Sequence, residues 1–501
     1  MNTEPQGHRR VVSGISGLDT LLGGGFFAGG VYIIQGPPGA GKTVLGNQLC
    51  FNHVAAGHRA LYVTLLAETH ARMMLNLRAF NFFDDSKVPN AIYYMSAFRT
   101  LEEEGLRGLL ELLRREIRGR NASMLLLDGL VSAEESAESP RDFKKFIHEL
   151  QNQATLLGCT TFLLTSGGVG RGVRAEHTMV DGLLELGDEL HVVRSERFMQ
   201  VSKFRGGSHL RGRHAFEVSD DGITVHPRIE ALLAEPTYGD KARDEDLGSG
   251  SKGLDAMLRG GIPSGSASVV IGPSGIGKTT FGLQFLSQVS AKEPGVFFGF
   301  YESIAAVHAK AESIGISLSD KVKRGELHMA WTPATEPILD AVGARLVNMV
   351  KRVGARRVFI DSLGAFSGLS FYPERAVPFF AAITNELRGI GATSVWTYET
   401  PRLMGPEIPS PLHGISPMVD NAVVLRFVEI NSRLHRLISV MKKRNGAFDP
   451  ALREFTIDER GFVVGDEFAS VEALMTGAAR QVAAPQRARK GKPPTRKKKR
   501  G

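Results

Sequence analysis

The sequence contains one octapeptide twice, and this repetition restricts the possible folds more than any other feature. GPPGAGKT begins at Gly36 and GPSGIGKT begins at Gly272, 236 residues later. The flanks repeat as well, since SGISGLDTLLGGGFFAGGVYIIQ from Ser13 aligns without gaps with SGSKGLDAMLRGGIPSGSASVVI from Ser249. A period this long exceeds that of any solenoid repeat, so the sequence predicts a duplicated domain.

Short apolar runs alternate with longer helical patterns in both halves of the chain. The first half has four such runs, at 31–36, 60–66, 123–129 and 160–166, and SVVIGP, VFFGFY, RVFIDS and TSVWTY correspond to them in the second half. The runs predict buried strands because they are short, aliphatic and closed by Gly, Asp or Ser. Helices are predicted at 99–120 and 336–354. The alternation indicates the α/β fold class: two tandem P-loop domains with mostly parallel central sheets.

The boundaries of the two domains follow from the repeat and from composition. We expect a first domain over 10–230, a linker rich in charge, Pro and Gly over 231–247, and a second domain over 248–466. Residues 480–501 predict a disordered basic tail, because like charges and proline dominate this segment.

The net charge of +8 is concentrated in this tail. Nine Lys and Arg residues between 487 and 500, with no acid among them, leave the rest of the chain at −1. Such a block either contacts nucleic acid or another acidic surface, or only keeps the protein in solution. Because the body is almost neutral, a role in nucleic-acid binding is not favoured.

Cysteine usage and hydropathy indicate the compartment. Cys50 and Cys159 are too few for a disulfide framework and lack metal-ligand spacing, so we expect two buried thiols in a reducing cytoplasm. Neither an export signal behind MNTEPQGHRR nor a run of 18 apolar residues is present. The prediction is a cytoplasmic protein without membrane contact.

The repeated octapeptide has the pattern GxxxxGK[ST] of a phosphate-binding loop, placed after a strand and before a helix. Its glycines allow a tight turn with inward N–H groups, and the helix adds its positive dipole end. Lys42 and Lys278 are predicted to neutralise the β- and γ-phosphates of ATP, and Thr43 and Thr279 to ligate Mg²⁺. The other predicted ATP-binding residues of the loops are Gly36, Gly39, Gly41, Gly272, Gly275, Gly277 and Thr280.

Acidic residues recur at matching distances from the two lysines. Asp128 and Asp361 end strands 86 and 83 residues further on, where ligands of open α/β sheets bind, and are predicted to ligate Mg²⁺. Glu68 and Glu302 lie 26 and 24 residues past the lysines and are predicted to hold the attacking water. The alternatives are turn-forming aspartates and ordinary surface or helix-capping glutamates.

Basic residues also repeat near the end of each half, at an offset of 239, in KFRGGSH (203–209) and KKRNGAF (442–448). Residues two apart on a strand share a face, so Lys203 and Arg205, and likewise Lys442 and Arg444, are predicted to meet one phosphate. Their distance from the loop along the chain suggests the nucleotide of a neighbouring subunit, as for an arginine finger. The alternative is four solvated basic side chains.

In combination, GLDTLLGGGFFAGGVYIIQGPPGAGKT, its second copy, the strand-final aspartates and KFRGGSH resemble the KaiC family of clock ATPases and KaiC-like relatives in the RecA superfamily. The resemblance covers about residues 10–465. It implies two RecA-like domains and a homohexamer of two stacked rings, with ATP at the subunit interfaces. It also implies slow hydrolysis in the first ring and autokinase or autophosphatase chemistry in the second. Ser208 and His209 fall on the ATP-contacting segment that acts in trans in the first ring, whereas Gly446 and Phe448 stand near those places in the second.

Three departures from the family pattern qualify these expectations. Each half keeps one glutamate, Glu68 or Glu302, where the family has two adjacent ones, which predicts an altered rate of hydrolysis. Ser416-Pro417 stands where the family has a Ser-Thr phosphoacceptor pair, so Ser416 is either an autophosphorylation site or an ordinary loop serine. The basic tail also differs, so the clock partners KaiA and KaiB are not carried over.

The function predicted from these features is a Mg²⁺-dependent ATPase ring in signalling or circadian-type timing, with serine/threonine autokinase activity in the second domain and an unknown signalling partner. The alternative is a RecA/RadA-like ATP-dependent nucleic-acid-binding protein with SGGVGRGVRAEH (166–177) lining a channel, although that segment has no aromatic residue for base stacking. In a third interpretation, one domain forms a ring that binds ATP without hydrolysing it.

Overall fold

The computed structural model describes residues 9–66, 70–167, 175–235, 245–335, 337–401, 415–430 and 432–468. Four features predicted above fall wholly or partly outside these residues: Glu68, the tail 480–501, much of the linker, and most of the segment 166–177.

The chain forms two compact units. The first comprises residues up to Glu235 with the segments Glu336–Arg345 and Leu369–Pro373, and the second comprises Pro236–Thr335, Leu346–Gly368 and the chain from Glu374 onward. The domain boundaries 10–230 and 248–466 remain predictions.

Residues 9–235 contain eleven described strands: β1 (Arg10–Val11), β2 (Phe26–Phe27), β3 (Val31–Gly36), β4 (Ala60–Thr64), β5 (Ile92–Ser96), β6 (Met124–Asp128), β7 (Thr160–Ser166), β8 (Gly182–His191), β9 (Arg194–Phe204), β10 (Arg213–Ser219) and β11 (Gly222–His226). The described helices of this part are α1 (Leu18–Leu21), α2 (Lys42–Ala55), α3 (His70–Leu77), α4 (Phe98–Arg120), α5 (Leu130–Glu135), α6 (Pro140–Leu157), α7 (Ala175–Met179) and α8 (Ile229–Leu232).

Residues 245–468 repeat this order, with the described strands β12 (Asp246–Leu247), β13 (Ile262–Pro263), β14 (Ala267–Gly272), β15 (Gly295–Gly299), β16 (Leu327–Trp331), β17 (Arg357–Asp361), β18 (Thr393–Glu399), β19 (Asn421–Ile430), β20 (Arg433–Lys443), β21 (Arg453–Asp458) and β22 (Gly461–Glu467). Their helices are α9 (Lys252–Met257), α10 (Lys278–Leu286), α11 (Ile304–Ser313), α12 (Ser319–Lys323), α13 (Leu339–Val353), α14 (Leu363–Leu369) and α15 (Ala376–Ile390).

Each half is built on a nine-stranded sheet. The order is β11-β10-β9-β8-β3-β7-β6-β4-β5 in the first half and β16-β15-β17-β18-β14-β19-β20-β21-β22 in the second. Six neighbouring strands of each sheet are parallel, and three antiparallel strands continue it at one end. The predicted α/β class with two tandem, mostly parallel sheets is therefore confirmed.

The eight predicted strands are all present. They were recognisable in the sequence because they are buried on both faces of their sheets. In β3, Tyr32 and Ile34 belong to one apolar cluster, whereas Val31 and Ile33 belong to a second cluster on the other face. Burial on both faces produces the continuous apolar run that marks such a strand in sequence. In the second sheet Trp396 of β18 is almost fully buried, with its ring 5.1 Å from that of Phe380.

The predicted helices are present with adjusted limits. The segment 99–120 forms α4, but Gly105 has φ 63° and ψ −161°, so two helices meet there. The segment 336–354 forms α13 from Leu339 to Val353. Within the described ranges, no helix is both long enough and apolar enough to cross a membrane. Both cysteines are buried, and burial raises the pKa of Cys50 to about 12.

Candidate nucleotide-binding sites

The two phosphate-binding loops join a central strand to a helix at the carboxyl edge of each sheet. Gly36 ends β3 and Gly272 ends β14, and the helices α2 and α10 start at the loop lysines. The N-terminal caps of these helices, Gly41 and Gly277, have φ of 96° and 119°. Side-chain-bearing residues rarely adopt this left-handed conformation, so the turn explains the glycine before each lysine.

The loop lysines of the two sites have different partners. Lys42 donates through Nζ to the carbonyl oxygens of Gly36 (2.8 Å) and Pro37 (2.9 Å). Lys278 donates through Nζ to the carbonyl oxygen of Pro273 (2.8 Å) and to Oε2 of Glu399 (3.3 Å). Each lysine thus turns back onto its own loop, and the second one also forms an ion pair.

Burial lowers the pKa of both lysines, and nearby carboxylates oppose this effect. For Lys42 the opposing charge is that of Asp128. For Lys278 two carboxylates act, first Glu399 and then Asp361. Each predicted metal-side aspartate is therefore close enough to interact with the lysine of its own loop.

The strand-final aspartates are held by different neighbours in the two sites. Asp361 accepts from Thr279 Oγ1 through Oδ2 (2.7 Å), and its other carboxylate oxygen accepts from Thr397 Oγ1. Asp128 accepts from the buried hydroxyl of Tyr62 through Oδ2 (2.9 Å). At the second site a direct hydrogen bond therefore joins the loop threonine to the strand-final aspartate.

A cavity of about 780 Å³ opens at the second loop. Its lining includes these residues predicted to bind ATP, metal or water: Gly275, Gly277, Lys278, Thr279, Thr280, Glu302 and Asp361. Small-molecule sites commonly enclose about 300–1,000 Å³, so a nucleotide fits a cavity of this size.

Glu302 lies on the wall of this cavity beside a basic residue. Its Oε1 accepts from Lys310 Nζ, and both residues line the cavity. Nearby, Trp331 at the end of β16 is partly exposed and donates through Nε1 to the carbonyl oxygen of Phe300 at 3.0 Å. The corresponding Glu68 of the first half lies outside the described residues.

The repeated Lys-x-Arg pairs make matching contacts in the two halves. Lys203 Nζ donates to the carbonyl oxygens of His177 (2.9 Å) and Thr178 (2.8 Å), and Arg205 donates to those of Thr178 (2.7 Å) and Met179 (3.2 Å). All three carbonyls belong to the end of α7, just before β8.

In the second half, Lys442 Nζ donates to the carbonyl oxygens of Ser416 and Val419, both at 2.7 Å. Arg444 donates to the carbonyl oxygen of Pro417 and lies 3.3 Å from Oδ1 of Asp420. These partners precede β19, so both pairs contact the turn before the equivalent strand.

Three further predicted residues lie near these pairs. Ser208 and His209 are in the loop between β9 and β10, where the His209 ring is 6.4 Å from that of Phe204. Burial, followed by the charge of Arg211, lowers the pKa of His209. Ser416 is half-buried, and its backbone carbonyl is the one that Lys442 contacts.

Tyr62, Lys310, Thr397 and Glu399 are among the side chains that contact these site residues and that sequence reasoning missed. Two of them stand in or directly after the predicted run TSVWTY. Comparing the ends of paired strands would have shown that Glu399 replaces Ser166 next to the second loop.

The family of the chain follows from comparison with known proteins. A family model described as "ATPase: KaiC" matches residues 11–230 and 247–468. The chain belongs to the KaiC ATPase family. The match in two segments agrees with the duplication that the octapeptides predict. Membership in this ATPase family implies ATP binding.

Curated relatives match the KaiC-family chain over nearly its whole length. The circadian clock oscillator protein KaiC of Picosynechococcus sp. is 25% identical over 492 residues, covering 95% of this chain and 94% of that protein. KaiC of Synechococcus elongatus is 25% identical over 497 residues, covering 96% and 94%. The circadian clock protein KaiC3 of Synechocystis sp. is 26% identical over 498 residues, covering 95% and 96%.

Proposed function

We propose that the protein is a Mg²⁺-dependent ATPase with one ATP site in each domain and that it acts as a self-assembled ring, a homohexamer, in signalling or timing. The observation that carries this proposal is the cavity at the second loop, where the loop lysine and threonine meet a strand-final aspartate and a glutamate. These are the groups that phosphoryl transfer requires: a phosphate cradle, a metal site and a residue that orients water.

The residues around Thr279 suit Mg²⁺. A threonine hydroxyl and a carboxylate oxygen are hard oxygen ligands, which this ion prefers. They lie 2.7 Å apart, so one cation can contact both. In this proposal Thr279 and Asp361 hold Mg²⁺ at the second site, and Thr43 and Asp128 hold it at the first.

Glu302 is the proposed water-orienting residue of the second site. Its carboxylate lies on the cavity wall and is held by Lys310, which fixes the position of one oxygen. Glu68 has the equivalent proposed role in the first site because of its position in the repeat. Lys278 and Lys42 would supply positive charge to the β- and γ-phosphates.

The Lys-x-Arg pairs are the proposed contacts to the nucleotide of a neighbouring subunit. One carbonyl contact of each lysine and one of each arginine recur at an offset of 239 residues, and this repetition favours a shared role over chance surface charge. In the first half Ser208 and His209 would add ATP contacts. The resemblance to the KaiC family also implies self-association in a ring.

Serine autokinase activity of the second domain is a further part of the proposal. Ser416 lies in the turn that Lys442 and Arg444 contact, so a neighbour's nucleotide held by these residues would come close to its hydroxyl. The step would transfer the terminal phosphoryl group of ATP to the serine oxygen, with release of ADP and a proton.

The ATPase proposal is tested by Lys42→Ala, Lys278→Ala and the double variant, each assayed for phosphate release from ATP with Mg²⁺ and with excess EDTA. Each single variant should lose the turnover of its own site, and the double variant and the EDTA sample should be inactive. A double variant as active as the wild type would overturn the proposal. Full turnover in Lys42→Ala with none in Lys278→Ala would identify the first domain as a non-hydrolysing ring.

The autokinase proposal is tested separately by intact-mass measurement after incubation with Mg²⁺ and ATP. One added phosphate per chain is expected in the wild type and none in Ser416→Ala. No added phosphate in the wild type, or an unchanged signal in Ser416→Ala, would refute the assignment without affecting the ATPase proposal.

A further inference from the structure

The two sites differ at one strand position that the sheet register makes equivalent. In the first sheet, Gly36 of β3 is paired with Ser166 at the end of β7. In the second sheet, Gly272 of β14 is paired with Glu399 at the end of β18. The last residue beside each phosphate-binding loop is therefore a serine in one half and an ionisable carboxylic acid in the other.

This acid contacts the catalytic machinery proposed above. Glu399 Oε2 lies 3.3 Å from Nζ of Lys278, whose side chain is only 8% exposed, and Glu399 also lines the nucleotide cavity. In the first site the lysine instead contacts two backbone carbonyl oxygens. The charge that the lysine would offer to phosphate is thus engaged by a side-chain anion in the second site.

We propose that Glu399 is an internal competitor of the triphosphate for Lys278, and that it sets the nucleotide affinity of the second site. This inference rests on the proposed ATPase function. Lys278 must leave the Glu399 carboxylate before it can neutralise a phosphate. The Glu399 side chain is already 56% exposed in the ion pair, so water can solvate the carboxylate once it is displaced, but it remains on the cavity wall beside an anionic ligand.

The size of the effect follows from the kind of ion pair that is lost. Pairs with one exposed partner are individually weak, so removal of the competitor should tighten nucleotide binding at the second site by about two- to five-fold. Because the competition depends on the negative charge of Glu399, Glu399→Gln should tighten nucleotide binding as much as Glu399→Ser does. The reciprocal change Ser166→Glu should weaken binding at the first site.

The experiment uses the full-length chain and a fluorescent ATP analogue with Mg²⁺. Titrations of Lys42→Ala report the second site and titrations of Lys278→Ala report the first. Glu399→Ser and Glu399→Gln are then compared in the Lys42→Ala background, and Ser166→Glu in the Lys278→Ala background. Thermal unfolding of each variant checks that the fold is retained.

The expected result is tighter binding for both Glu399 variants and weaker binding for Ser166→Glu. Unchanged or weaker binding in both Glu399 variants would overturn the inference, and weaker binding would indicate that the carboxylate helps to hold the metal-bound nucleotide. If Glu399→Ser bound nucleotide more tightly but Glu399→Gln did not, the effect would be steric rather than electrostatic. This result would also overturn the inference. If wild-type protein bound no nucleotide, the proposed function itself would fail.

Discussion

Asp128 and Asp361 occupy equivalent strand ends, yet each accepts a hydrogen bond from a strand on a different side of its own strand. The Tyr62 hydroxyl reaches Asp128 from β4, whereas the Thr397 hydroxyl reaches Asp361 from β18. β4 corresponds to β15, and β18 corresponds to β7, so the two supports lie on different flanks of the aspartate. These two hydrogen bonds therefore reach equivalent carboxylates from different neighbouring strands.

Tyr62→Phe is expected to impair the first site alone. Loss of a hydrogen bond to a metal-ligating carboxylate commonly lowers metal affinity by about 10- to 100-fold, so half-maximal turnover should require about tenfold more Mg²⁺. The measurement is a Mg²⁺ titration of ATP hydrolysis in the Lys278→Ala background. Tyr94→Phe is the matched control, because that hydroxyl donates to Asn47 Oδ1 (2.8 Å). An unchanged Mg²⁺ requirement in Tyr62→Phe would contradict the prediction.

His53 makes the stability of the first unit sensitive to acid. Burial, with smaller contributions from His58 and Arg9, lowers the pKa of His53 from 6.5 to about 4. Between these values the unfolded chain binds a proton that the folded chain does not, so stability falls as pH drops from 6.5 to 4. The loss attributable to this group is about 3 kcal/mol.

His53→Gln should therefore flatten the acid limb of the stability profile. Glutamine does not titrate and can keep a hydrogen bond to the Ser123 hydroxyl, which lies 2.8 Å from His53 Nε2. Urea unfolding at pH 7, 5.5 and 4.5 measures the difference. Parallel profiles for wild type and variant would show that His53 is not the group responsible.

The candidate site was predictable where its residues are close in sequence or end a buried strand. The loop residues follow one another, and Asp361 and Glu302 follow apolar runs that mark central strands. Lys310, Thr397 and Glu399 were not predicted as site residues, because their contacts depend on strand order and helix placement, which hydropathy does not encode.

At the scale of elements, the antiparallel part of each sheet is what the sequence analysis missed. β8 and β9 form a long hairpin, and in β9 the buried residues Met199 and Val201 alternate with the more exposed Gln200 and Ser202. Period-two alternation over part of a strand is a weaker signal than a continuous apolar run. The edge strands β5 and β16 are only partly buried and were missed for the same reason.

The phosphate-binding turn should be intolerant of side chains, to different degrees in the two halves. Gly41→Ala is expected to cost about 1–2 kcal/mol of unfolding free energy because of its left-handed conformation. Gly277→Ala should cost more, since its new Cβ would also lie 2.5 Å from Cδ1 of Ile457. Gly119→Ala is the control, because among the described residues no atom beyond its chain neighbours and the nearby backbone of its own helix lies within 4 Å of its Cβ position, and alanine favours the α4 helix. Denaturant unfolding of the three variants measures the order, and equal losses in all three would contradict it.

At the scale of the whole molecule, the proposed ring predicts that nucleotide controls assembly. With Mg²⁺ and ATP, light scattering should give six times the chain mass of 54.4 kDa, and removal of nucleotide should lower this value. The double variant Arg205→Ala, Arg444→Ala should lose turnover while each chain still binds the fluorescent ATP analogue, because these residues are proposed to act on a neighbour's nucleotide. A monomer with full turnover would contradict the assembly proposal.

Both tryptophans of the chain, Trp331 and Trp396, belong to the second compact unit. Trp396 is buried in β18, the strand that ends at Glu399, and Trp331 contacts the backbone beside the cavity wall. Indole emission therefore reports on one member of a duplicated pair in unlabelled protein. A change in indole emission therefore reports unfolding of the second unit or ligand binding in its cavity. The same events in the first unit, which contains no tryptophan, do not contribute to this signal.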